Sequence, residues 1–107
     1  MGKGLQMLKT LVVFFSMLSV AAGAHANSDL AHAKNCIACH NISVKVIGPA
    51  FKDVAAKYRG DPKAVDTLAA KIIKGGSGVW GSVPMPSNTQ VNEAEAKQLA
   101  KWVLQQK

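Results

Sequence analysis

Residues 36–40 read Cys36-Ile37-Ala38-Cys39-His40 and contain the only two cysteines of the chain. Thiols three positions apart on a helical turn face the same side, and an imidazole follows at once. This is the attachment spacing of a c-type haem. Both thiols can reach the two vinyl groups of one porphyrin and close thioethers, while His40 turns its ring to the iron. Other readings of the motif are weaker. A structural zinc site wants four Cys or His ligands, and beyond residue 26 the chain adds only a distant His32. A redox-active C-x-x-C pair belongs in a βαβ setting, which the pattern lacks. A disulfide closing so short a loop would stabilise little.

Upstream of the motif, the chain opens with a basic stretch carrying Lys3 and Lys9. The apolar run Leu11–Val20 follows, and then Ala24-His25-Ala26. Basic, apolar, then small is the order of a secretory leader, and the run is short for a membrane anchor. Cleavage is expected after Ala26, giving a leader over 1–26 and a single domain over 27–107. Of 13 basic residues only Lys3 and Lys9 fall in the leader, and none of the six acids does. The remaining 11 against six leave a formal charge of +5. Export and a lone arginine, Arg59, argue against nucleic acid; an acidic protein partner fits better. A domain of this size has a marginal core, and a covalently joined cofactor would complete it.

Downstream, four helical segments are legible and no strand alternation is. The first is expected from caps at Asn27-Ser28-Asp29 into Cys36, and the second over Phe51–Tyr58. Asp61 as N-cap, Pro62 at the first helical position and Gly75 past the end bracket the third. Asn92-x-x-Glu95 is a capping box that opens the fourth, which is expected to reach Gln106. Residues 75–91 form a long Gly- and Pro-rich loop, of a kind that compact domains keep for function. Within it Met85 stands between Pro84 and Pro86, the only methionine after residue 26. A rigid mount for a usually adaptable side chain suits a sulfur held as the second axial ligand to iron. His32, one turn before Cys36, is poorly placed to reach the far haem face and reads as a surface residue.

CIACH, with VIGPAFKDVAAKY (46–58), GSGVWGSVPMPSN (76–88) and LAKWVLQQK (99–107), resembles the short class I bacterial cytochromes c, the cytochrome c-551/c-552 group. The resemblance spans the whole of 27–107. It implies an all-α fold of about four helices around one low-spin haem c, with Cys36 and Cys39 as covalent sites and His40 and Met85 as axial ligands. It further implies that the Pro49 carbonyl accepts a hydrogen bond from the His40 ring. Trp80 would donate its indole N–H to a propionate, Asn88 would lie near the methionine sulfur, and Lys71 would stand where some members place a propionate-binding arginine. Phe51, Val54, Tyr58, Leu68, Ile72, Val79 and Val103 would line the pocket. The implied role is a monomeric periplasmic one-electron carrier, not an enzyme. Its partners would be acidic-faced redox proteins: a cytochrome bc1-type donor, and a nitrite reductase, oxidase or peroxidase as acceptor. Lys34, Lys45, Lys52 and Lys74 are candidates for steering them. A haem subunit of a larger complex and a ligand-binding haem protein with a labile sixth site are the alternatives.

Overall fold

The computed structural model describes residues 23–107. Four helices carry the fold: α1 (Gly23–Ala33), α2 (Phe51–Lys57), α3 (Ala64–Lys74) and α4 (Glu93–Leu104). A short 3-10 turn (Cys36–Ala38) follows α1, and a hairpin of β1 (Gly76–Gly78) and β2 (Gly81–Met85) separates α3 from α4. The expected leader lies outside the described residues except for Gly23–Ala26, which are helical.

Helix α4 is the hub, and α1, α2 and α3 all pack against it. Its buried stripe is Ala96, Leu99, Ala100, Trp102 and Val103, spaced at three and four residues as one helical face requires. Around it cluster Ala31 from α1, Phe51 and Val54 from α2, and Leu68 and Ala69 from α3. Each large member contributes about 1.5–3 kcal/mol by leaving water.

The capping box forms as expected. Asn92 Oδ1 accepts from the Glu95 N–H at 2.8 Å, and Glu95 Oε1 accepts from the Asn92 N–H at 3.1 Å. Lys34 joins this corner, pairing with Glu95 Oε2 at 3.3 Å and donating to the Gln90 carbonyl at 2.8 Å. Gln90 Nε2 returns a bond to the Lys34 carbonyl at 3.2 Å. Lys34 therefore fastens the end of α1 to the start of α4, with its charge paired to Glu95.

Several helix boundaries differ from the sequence expectation, that of α2 by only one residue. Helix α1 is already formed at Gly23, upstream of the three potential caps at Asn27-Ser28-Asp29, because Ala24-His25-Ala26 do not interrupt a helix. It stops at Ala33, and Asn35 turns left-handed (φ 64°) to start the separate turn bearing Cys36. Asp61 caps a tight turn rather than α3 itself: its Oδ1 accepts from Lys63 N at 2.8 Å, and the α-helix begins at Ala64. Helix α4 ends at Leu104.

The hairpin is the larger correction. Gly76 pairs with Met85 and Gly78 with Gly81, leaving Val79-Trp80 as a two-residue turn. Gly76, Gly78 and Gly81 have φ of +139°, +104° and +110°, which side chains rarely tolerate. Glycine thus builds the turn while erasing the alternation by which strands are read. Pro84 is accepted because a two-stranded ribbon has only edge strands.

The Asn92 N–H, accepted by Glu95, holds that carboxyl below the ordinary carboxylate range; Lys34 adds to this, against a smaller effect of burial. A lowered folded-state value stabilises at neutral pH, and that contribution is lost as pH falls through it. Urea midpoints followed downward from about pH 5 should therefore drop more steeply for the wild type than for Glu95→Gln. Parallel acid limbs would contradict this.

Candidate functional site

A cleft of about 600 Å³ opens between the helical body and the hairpin, well within the range of cofactor sites. His40 enters from the 3-10 turn, where both Cys39 N and His40 N donate to the Cys36 carbonyl, at 3.2 and 3.0 Å. Cys36, Cys39 and His40 thus share one tight turn and one cleft wall. The cysteines are free and half-buried. Burial pushes the Cys36 thiol up, helped by nearby Cys39 and opposed by a backbone hydrogen bond. Such a thiol is not the low-pKa thiolate of a redox-active pair.

The imidazole is fixed on several sides. His40 Nδ1–H donates to the Pro49 carbonyl at 2.8 Å, which sets the tautomer and leaves the Nε2 lone pair free. The Phe51 ring stacks on it with centroids 5.0 Å apart and 21° between planes. Phe51 meets Trp102 edge-on at 5.3 Å, linking the imidazole to α4. Gly48 passes so close that a Cβ there would lie 2.8 Å from Nδ1 and 2.9 Å from Nε2. Lacking a side chain, Gly48 makes room for the ring.

Met85 closes β2 and lines the same cleft. Its seat depends on Gly75, the C-cap of α3 (φ 71°): a Cβ there would collide with the Met85 carbonyl, lie 2.7 Å from Pro86 C and 2.8 Å from Ser87 N. Asn88 does not line the cleft. Its Nδ2 donates to the Ile72 carbonyl at 2.8 Å and the Pro86 carbonyl at 3.4 Å, and its backbone N–H donates to Ile73 at 3.2 Å. Both amide hydrogens are thereby engaged, so Asn88 ties the methionine loop to α3.

Trp80, Pro49, Lys71 and the seven expected lining residues all border the cleft, as does Lys45. Lys71 passes over Gly76, its Nζ 2.9 Å from where a Cβ would stand. Lys74 instead borders a separate groove between α3 and α4 with Glu93 and Lys97, and Lys52 is exposed on α2 without lining the cleft. Val46, Ile47, Val79 and Val83 are 47–62% exposed, and all four border the cleft. An apolar rim of this kind marks a binding surface.

The Cytochrome c family profile matches residues 25–107. The chain belongs to the cytochrome c family. It is 55% identical over 89 residues to cytochrome c-552 of Nitrosomonas europaea, covering 83% of this chain and 86% of that one. Against cytochrome c-552 of Hydrogenobacter thermophilus it is 55% identical over 98 residues, covering 92% and 97%. The crystal structure of the wild-type Nitrosomonas europaea cytochrome c552 superposes with a TM-score of 0.73, covering 75% of this chain and 99% of that chain. Members of this family are electron carriers with haem c bound covalently through a cysteine pair. The donor set here fits that cofactor: two thiols on one turn, an imidazole with a free Nε2, a thioether and an apolar rim. Among the described residues no helix is long and apolar enough to cross a membrane.

Glycine substitutions test the seat of Met85. Gly60 also has a left-handed φ (+82°), but its Cβ would meet nothing within 4 Å. Gly60→Ala should cost about 1–2 kcal/mol, the backbone strain alone. Gly75→Ala should cost about 1–3 kcal/mol more, because the 85–87 backbone must also move. Guanidinium unfolding of the two holoproteins checks this; equal losses would contradict it.

Proposed function

We propose that this cytochrome is an exported one-electron carrier whose haem iron is held by His40 Nε2 on one side and Met85 sulfur on the other. The observation that carries the reading is the committed His40 tautomer, with Nδ1 engaged at 2.8 Å by Pro49, in a cleft that Met85 also lines. Cys36 and Cys39 would form the two thioethers. The haem supplies a reversible one-electron couple, and thioether ligation raises its potential relative to harder donors.

The chain's own contribution is orientation, exclusion of water and charge. Pro49, Gly48 and Phe51 hold the imidazole; Gly75 and Asn88 hold the methionine loop. Rigid ligands reorganise little when the iron changes charge. With both axial positions taken, a substrate could reach the iron only by breaking a bond, which favours a carrier over a ligand-binding haem protein. Trp80 and Lys71, at the cleft, would serve the propionates, Trp80 as donor and Lys71 as a point charge without arginine's bidentate fork.

The leader-like order of residues 1–26 supports export to the periplasm with cleavage after Ala26. Cleavage there would trim the first four residues of α1 and make Asn27 the new N-terminus. The positive charge of 27–107 supports encounter with acidic-faced redox partners by a monomer, and Lys45 and Lys71 are the lysines at the cleft.

Met85→Ala should keep covalent haem, lower the reduction potential on the order of hundreds of mV within the roughly 0.8 V range that axial ligands set, and bind carbon monoxide when reduced. An unchanged potential would mean that another residue holds the iron. Electron exchange with an acidic partner should slow as salt rises, and Lys45→Gln should slow it more than Lys74→Gln. Equal effects would contradict docking at the cleft.

A further inference from the structure

Trp80 forms the hairpin tip, and its ring face is taken by a residue from another element: Lys57 Nζ lies 5.6 Å from the indole centroid. Lys57 is the last residue of α2, which is anchored in the core through Phe51, Val54 and Ala55. The hairpin has little else to hold its tip. Every residue of its strands except Met85 is exposed, and it packs on no helix as the helices pack on α4. A two-stranded hairpin is marginal by itself. Its base is fastened to the end of α3 by the Asn88 bonds to Ile72 and Ile73 and by the close passage over Gly75. Lys57 is the corresponding contact at the tip.

We propose that Lys57 is a positioning residue for Met85: its cation on the Trp80 ring ties the hairpin tip to α2, so that β2, running from the tip to Met85, is held at both ends. This rests on the reading of Met85 as an iron ligand. The contact leaves the other expected use of Trp80 intact. A cation engages the π face, whereas Nε1–H lies in the ring plane and can still donate to a carboxylate. The Lys57 side chain is thus placed by the ring rather than by solvent alone.

The test uses oxidised holoprotein of the wild type, Lys57→Gln and Lys57→Arg, with two readouts. The first is the rate at which added imidazole displaces the Met85 sulfur; the second is amide hydrogen exchange across residues 76–85. In Lys57→Gln both should rise by about two- to fivefold, the strength of an exposed cation–indole contact. Lys57→Arg should stay near wild type, since guanidinium also stacks on indole. A lysine that serves only to dock partners would move neither readout, and unchanged exchange in Lys57→Gln overturns the proposal. So does an Arg variant as fast as the Gln one. Faster exchange with unchanged displacement overturns the link from the tip to Met85. A wild-type protein without the sulfur-to-iron charge-transfer band would count against Met85 ligation itself, and the exchange arm would still decide whether Lys57 holds the tip.

Discussion

One hydrogen bond, from His40 Nδ1 to the Pro49 carbonyl at 2.8 Å, sets the order of the site. It commits the tautomer, aims Nε2 and leaves the imidazole a single orientation in the cleft. The surroundings enforce the same choice. Gly48 admits the ring where any side chain would exclude it, and Phe51 stacks on its face. Because Phe51 also meets Trp102, the imidazole is the outermost member of an aromatic chain rooted in α4. The helix on which the other three pack is therefore also what steadies the histidine.

The methionine side is built on a different plan. Its wall is a glycine-rich ribbon with exposed strands, fastened by Asn88 and Gly75 at the base and touched by Lys57 at the tip. A packed helix there would bury its own apolar face against the body and narrow the cleft. A ribbon leaves room for a large flat group between the core and the hairpin. The arrangement pairs a rigidly held imidazole with a thioether whose hold is distributed over several weak contacts. Each of those contacts contributes little alone, so the stiffness of Pro84 and Pro86 matters more than any single bond.

Much of this was legible in the residues, and what was not has physical reasons. C-x-x-C-H, the Asn92–Glu95 box and Gly75 are local devices, in which a few adjacent side chains determine the backbone. The pocket residues were legible as part of what the family resemblance implies, and all seven border the cleft. The hairpin was hidden because β1 is only Gly-Ser-Gly and β2 is a short, almost wholly exposed stretch that contains a proline, so neither shows alternation. The start of α1 was misplaced because Asn27, Ser28 and Asp29 cap a helix only if the preceding chain declines to be helical. The pairing of Lys34 was not legible, since its partner Glu95 lies far along the chain. The contact of Lys57 with Trp80 joins distant elements in the same way, and a steric opening such as Gly48 has no signature until the ring it accommodates is in place.

The central claim is that iron is held between an imidazole and a thioether, and Met85 offers a clean probe of it as the only methionine in residues 27–107. Proton–carbon NMR of reduced holoprotein comprising residues 27–107, labelled at the methionine methyl, should give one methyl resonance moved far upfield by a porphyrin ring current. A single resonance at the ordinary methionine position would contradict the account.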